Sequence, residues 1–267
     1  MTWPASGAAT SRGKALIEQS KIKNQKSKIH LSSLASAPTL HSIRAVTFDV
    51  GGTLIEPWPS VGHVYAEVAA RHGWRGLSVP MLNRRFAEAW GALKSFNYTR
   101  SEWAAVVEAT FRGVIEGPPS RALFDDLYAR FGRREAWRIF DDVVPTLETL
   151  AARGLRLGVI SNWDERLRPL LRRLKLLEYF DTIVVSCEAG AAKPSGEIFA
   201  LAAEKLALPR EKILHVGDSP ALDTRGARAA RLQAVLLRRG VNRAAAGQIR
   251  SLLQLCEFCF LSRPKFP

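Results

Sequence analysis

The feature that most restricts this chain is the return of short, uninterrupted apolar runs separated by stretches with helical spacing. Ala45-Val46-Thr47-Phe48 runs into Asp49 and then into the glycine pair Gly51-Gly52. Comparable runs recur at Leu155 to Ile160, Thr182 to Val185, Lys212 to Val216 and Ala234 to Leu237. An apolar run without polar alternation suits a strand buried on both faces. Strands of that kind alternating with helices build βαβ units, so the expectation is an α/β fold with a Rossmann-like parallel sheet.

Between the first run and the second, from Pro57 to Asp141, strand signal nearly vanishes. The spacing predicts helices over Val64 to Arg71, Val79 to Phe96, Arg100 to Glu116 and Arg121 to Phe131. Thr99-x-x-Glu102 reads as a capping box that starts the third, and Gly117-Pro118-Pro119 closes it. A segment of that length exceeds any ordinary βα connection, so it is expected to form an inserted all-helical cap domain, residues 57–141. The core would then be 44–56 with 142–256, preceded by a basic, disordered extension (1–43) and followed by a tail (257–267). No internal repeat is visible.

Composition excludes several classes of function. No apolar run approaches the length of a membrane span, and 47% hydrophobic with 24% charged residues suits a globular protein. Lys and Arg outnumber Asp and Glu by 39 to 25, which favours anionic partners. Much of that excess is local, however: residues 1–44 hold Arg12, Lys14, Lys21, Lys23, Lys26, Lys28 and Arg44 against Glu18 alone. Basic pairs such as Arg172-Arg173 and Arg238-Arg239 lack interleaved aromatics, so they read as solvated faces rather than a nucleic-acid surface. Three cysteines make no disulfide framework and suit a reducing, cytoplasmic setting. Cys256-x-x-Cys259 has no second pair or flanking histidine and reads as apolar packing. The N-terminal stretch lacks the apolar core of a secretory signal, and its enrichment in Lys rather than Arg argues against a transit peptide.

Chemistry in an open parallel sheet gathers beyond the carboxyl ends of the strands. The first run ends in Asp49-Val50-Gly51-Gly52-Thr53 and the second in Ser161-Asn162. Lys193-Pro194 follows the third, and the fourth ends in Gly217-Asp218-Ser219 with Asp223 shortly after. Taken alone, each has a structural reading: a helix cap, a turn or a solvated loop.

In this order the four segments FDVGGTL, VISNWDERL, AGAAKPSGEIF and HVGDSPALDTRGARAA resemble the haloacid dehalogenase superfamily over roughly Arg44 to Leu255. The resemblance implies a hydrolase with a helical cap between the first two motifs and Asp49 as nucleophile. A carboxylate attacking phosphorus in line forms an aspartyl phosphate and divides one hard displacement into two. Mg2+ held by Asp49, the Gly51 carbonyl and Asp218 would offset the repulsion between carboxylate and phosphate. Asp223 would be a further metal carboxylate or a brace for the others. Lys193, the Ser161 hydroxyl and the Asn162 backbone N–H would hold the phosphoryl oxygens, with Thr53 orienting the nucleophile loop. The expected partner is a small phosphorylated substrate.

One position departs from the pattern. Phosphatases of this superfamily usually carry a second Asp two residues after the nucleophile, to protonate the leaving oxygen and then activate water; here it is Gly51. Loss of such a group typically costs roughly 10²–10⁴-fold. Three outcomes follow. The first is a slow phosphatase that accumulates its aspartyl phosphate or borrows a group from the cap, His63 and Glu56 being nearest in sequence. The second is another bond chemistry: haloacid dehalogenation, which usually has Tyr at the Gly51 position, or phosphonate hydrolysis through a cap lysine such as Lys94. The third is a non-catalytic protein that binds Mg2+ or a phosphorylated ligand. Trp58, Trp90, Trp103 and Trp137 are expected to pack rather than stack on a ligand.

Overall fold

The computed structural model describes residues 43–93 and 96–258. The extension 1–42, Lys94 and Cys259 lie outside the described residues.

The first apolar run forms β1 (Ala45–Phe48), every residue of it buried. Its central place follows from having two parallel neighbours: β4 (Arg156–Ser161) on one side and β6 (Ile213–Gly217) on the other. Beyond β4 lies β5 (Thr182–Val185), and beyond β6 come β7 (Gln233–Leu237) and a short β8 (Gln248–Ile249). The sheet order is therefore β5-β4-β1-β6-β7-β8, with every pairing parallel. The chain builds outward from β1 first one way and then the other, and that reversal opens a crevice at the carboxyl edge. Gly158 lets the inner strands close up, because a Cβ there would meet Thr182 Cγ2 at 2.9 Å and Thr47 Cγ2 at 3.1 Å.

Both faces of the sheet are covered. On one, Ala45, Ile160, Val184 and Ile213 pack against Ile198, Phe199 and Ala202 of the helix Gly196–Lys205. On the other, Val46, Phe48, Val159 and Val216 join a larger cluster that takes in Leu147 and Leu150 of the helix Val143–Ala151. Removing a side chain such as Phe48 from water contributes about 2 kcal/mol, so strands with no exposed face are fixed in place by both layers.

The larger cluster continues without a break into four helices between Pro57 and Trp137: α1 (Val61–Arg71), α2 (Val79–Gly91), α3 (Arg100–Phe111) and α4 (Arg121–Phe131). The capping box at Thr99 and Glu102 is formed, and Ser78 and Ser120 cap α2 and α4. Two helices stop short of the sequence expectation, α2 at Gly91 and α3 at Phe111, where glycines at 91 and 113 weaken the helix. The insertion also holds a strand the spacing did not predict: β3 (Trp137–Ile139) pairs antiparallel with β2 (Ile55–Pro57). Three residues are too few to show a period, and the partner contains a proline. This ribbon draws the two ends of the helical segment together beside β1. Among the described residues no helix is long and apolar enough to cross a membrane.

Candidate active site

Asp49 follows β1 directly and is 4% exposed. Its backbone N–H continues the ladder to Val216 at 2.9 Å, so its position is an extension of the sheet. The loop after it turns at Gly52, whose φ of 79° lies in the left-handed region. A Cβ at Gly52 would also stand 2.6 Å from Asp218 Oδ2, so the glycine lets the ends of β1 and β6 carry their carboxylates side by side. Gly51 is buried and bridges Ile55. Thr53 is fully buried; its hydroxyl has no partner among the described residues, and its carbonyl accepts a 2.8 Å bond from Arg239.

Ser161 ends β4 and donates its hydroxyl to Asp49 Oδ1 at 3.0 Å. Lys193 Nζ donates to the same oxygen at 2.6 Å and to Asp223 Oδ1 at 2.5 Å. The lysine is 2% exposed at its side chain. Burial alone would lower its pKa, but Asp223 and Asp49 outweigh that and hold it well above the usual lysine range. Asp223 is likewise raised by burial and then carried well below the carboxylate range by Lys193 and His215. Its other oxygen accepts the Ser219 N–H at 2.8 Å, so both oxygens are engaged by protein, as a brace would be.

Asn162 contributes more than the backbone N–H expected of it. Its amide clasps the Lys193 backbone from both sides, accepting from Lys193 N at 2.7 Å and donating to Lys193 O at 2.9 Å. Two motifs far apart in sequence are thereby locked together. His215, inside β6, is a second group that sequence reasoning passed over. It is fully buried, 3.0 Å from Thr47 Oγ1 and 3.3 Å from Asp223 Oδ1, and burial holds its pKa below the usual imidazole range. A polar residue at alternate positions in a buried run is the signal that could have found the Thr47–His215 pair.

Oxygens of Asp49, Asp218 and Asp223 all lie within 4.8 Å of one another. Three carboxylates meet here, two of them, Asp49 and Asp223, bonded to the Lys193 ammonium, and such a set of hard oxygen donors fits a divalent cation. A Cβ at Gly217 would collide with Asp223, so the approach of these groups depends on glycine in β6 as well as in the loop after Asp49.

The other expected groups fall elsewhere. His63 is exposed on α1 and bonded to Ser60 at 2.8 Å. Glu56 pairs with Arg138 across the β2–β3 ribbon, where Trp58, 43% exposed, lies over the same guanidinium at 3.9 Å. Trp90 and Trp103 stack at 5.5 Å within an aromatic cluster, and Trp137 packs on Trp163 at 5.2 Å. Cys256 is buried and unpaired with any cysteine among the described residues.

The helices also hold the loop that carries Ser161 and Asn162. Trp103 Nε1 donates to Asp164 at 2.8 Å, the Tyr128 hydroxyl to Glu165 at 2.7 Å, and Arg166 to the Tyr128 carbonyl at 2.7 Å. Asp164 has no exposed surface and is further paired with Arg166.

A hydrolase is what the comparisons define for this α/β chain. The sequence pattern of the haloacid dehalogenase-like hydrolases matches residues 43–231, and the chain belongs to that family. It is 34% identical over 208 residues to haloacid dehalogenase-like hydrolase domain-containing protein 3 of Danio rerio, covering 74% of this chain and 86% of that one. It is 30% identical over 219 residues to a phosphoglycolate phosphatase of Salmonella typhi, covering 76% and 84%. Its fold is similar to that of the putative HAD-hydrolase YfnB from Bacillus subtilis bound to magnesium, with a TM-score of 0.69, 19% identity, and 82% and 99% of the two chains covered.

Proposed function

We propose that this hydrolase is a Mg2+-dependent phosphatase acting on a small phosphate monoester through an aspartyl phosphate at Asp49. The observation that carries the reading is the meeting of Ser161 Oγ and Lys193 Nζ on one oxygen of Asp49, beside the carboxylates of Asp218 and Asp223. The similarity to a phosphoglycolate phosphatase supports a phosphate ester as substrate. Haloacid dehalogenation would leave the acidic trio without a use.

Pinning one oxygen of Asp49 from two sides stops the carboxylate rotating, so its attacking geometry is set before substrate arrives. An ammonium has three N–H donors, and two of those on Lys193 go to Asp49 and Asp223. The third is left for a phosphoryl oxygen, with the Ser161 hydroxyl beside it. Asp49, Asp218 and the Gly51 carbonyl would hold Mg2+, with Asp223 bracing Lys193. When bound, the cation would supply positive charge that offsets the repulsion between nucleophile and phosphate. Residues 57–141 would act as a cap that excludes water and selects the ester.

Asp49→Asn is expected to abolish hydrolysis across a panel of phosphorylated metabolites, and chelation of Mg2+ to abolish it in the wild type. Full activity in either case would overturn the reading.

A further inference from the structure

Six consecutive residues that end β4 and leave it, 161–166, make their bonds in two directions. Ser161 donates to Asp49 Oδ1 at 3.0 Å, and the Asn162 amide clasps the Lys193 backbone at 2.7 and 2.9 Å. Further along, Asp164 accepts a 2.8 Å bond from Trp103 Nε1 of α3 and Glu165 a 2.7 Å bond from the Tyr128 hydroxyl of α4. Arg166 Nη1 donates to the Tyr128 carbonyl at 2.7 Å. Trp163 stands between the two sets. Ser186, just past β5, accepts its N–H at 3.0 Å and donates to its carbonyl at 3.1 Å. A loop gripped at its middle and bonded at both ends passes a displacement of one end to the other.

Asp164 is the hub of the outer set. It has no exposed surface, and its two oxygens accept the Arg166 N–H at 3.0 Å, the Arg166 guanidinium twice and the Trp103 indole. The same guanidinium lies 3.5 Å from the centre of the Tyr128 ring. Each of its three nitrogens is bonded within the joint, so Arg166 fastens α4 to Asp164 rather than offering charge to a ligand. Packing beside the hub is incomplete: Trp103, Tyr128, Trp163 and Arg166, with Tyr65 and Phe86, line a cavity of about 40 Å³. That exceeds the roughly 10–15 Å³ needed for one water and gives the rings room to shift. Polar bonds, more than close packing, therefore fix how α3 and α4 sit at this corner.

Building on the phosphatase reading, we infer that Asp164 is a positioning residue: the seating of α3 and α4 on its carboxylate holds Ser161 and Asn162 against Asp49 and Lys193. Helices lifted from Asp164 free the outer half of the loop. The turn about Trp163 then draws the Ser161 hydroxyl and the Asn162 amide away from their partners. Asp49 gains freedom to rotate, and Lys193 loses the clasp on its backbone. A misplacement of about 1 Å at a reacting group costs roughly 10²-fold, so a small tilt of the helices is enough to slow the attack on phosphorus. The helical segment thus sets the geometry of the nucleophile as well as covering it.

Two variants test this. Trp103→Phe removes the indole donor and keeps a ring, and Asp164→Asn removes the charge and keeps the shape. With 4-nitrophenyl phosphate and Mg2+, each is expected to lower kcat roughly 10-fold while KM moves by less than about 3-fold. The second readout is hydrogen exchange at the Lys193 N–H, which is bonded to Asn162 Oδ1 and belongs to neither the helices nor the loop. Its exchange should quicken roughly 10-fold in both variants while amides within β1 and β4 keep their wild-type rates. Glu67→Gln, which breaks a pairing with Arg130 inside the helical segment, should change neither kcat nor that amide. A Lys193 amide that keeps its rate, or quickens only along with the strands, would overturn the coupling and leave the phosphatase reading intact. A rise in KM at unchanged kcat would do the same, by placing these groups in ester binding. Wild-type protein inert toward phosphate esters would overturn the phosphatase reading, and the exchange rates would still decide the coupling.

Discussion

Lys193 joins two carboxylates inside the protein, and its removal would leave Asp49 and Asp223 buried without their shared cation. Breaking a buried ion pair by deleting one partner typically costs about 3 kcal/mol or more. Lys193→Met, which keeps the length of the side chain, is therefore predicted to lower the unfolding free energy by that amount, read as a lower urea midpoint, and to abolish hydrolysis. An unchanged midpoint would mean that the bridge adds no net stability. How far such residues can be read from sequence depends on where their partners lie. Asp49, Ser161, Lys193 and Asp218 each stand just past an apolar run, so topology alone brings them to one edge. Asn162 also stands just past a run, but the clasp that its amide makes on the Lys193 backbone joins segments remote in sequence and could not be read from its position. His215 is marked only by alternating polarity within an apolar run, so it reads first as a packing residue.

At the scale of elements, Asp142 precedes the helix Val143–Ala151 yet makes no capping bond to it. Its carboxylate instead takes two bonds from Arg239, at 2.8 and 3.0 Å, one from the Ser251 hydroxyl at 2.7 Å and one from the Leu252 N–H at 2.8 Å. Arg239 also holds the Thr53 carbonyl, so one cluster ties the loop after Asp49, the start of that helix and the C-terminal segment together. Burial raises the Asp142 pKa, but the bonds from Arg239, Ser251 and Leu252 outweigh it and the net shift is downward. A carboxylate lowered in the folded state stabilises above its unfolded pKa, about 4, and loses that contribution as pH falls through the folded value. Asp142→Asn should thus lower stability by about 2 kcal/mol near pH 7. The gap to wild type should stay constant down to about pH 5 and close below about pH 4 in urea titrations followed across pH. A gap that does not change with pH would mean the carboxylate charge is not what holds the three segments. The strands and long helices that this cluster joins were legible from period, whereas the cluster and the three-residue β3 were not.

For the molecule as a whole, the parallel sheet aims three carboxylates at one point, and two of them share the Lys193 ammonium. Folding works against that concentration of charge, and a divalent cation that binds only the folded state relieves it. Binding adds RT ln(1 + [L]/Kd), about 2.7 kcal/mol when the ligand stands at a hundredfold its Kd. For a domain of this size that corresponds to a rise in melting temperature of roughly 5 °C or more. Millimolar Mg2+ should produce such a rise, a chelator should reverse it, and Asp218→Asn should remove it while Asp126→Asn, exposed on α4, leaves it unchanged. The measurement needs no substrate, so it separates cation binding from the identity of the ester. If Mg2+ leaves the wild-type transition where it is, the acidic trio holds no cation at that concentration. Asp49 would then have to attack phosphate with the Lys193 ammonium, already shared with Asp223, to offset the repulsion, a task for which a shared ammonium is poorly matched.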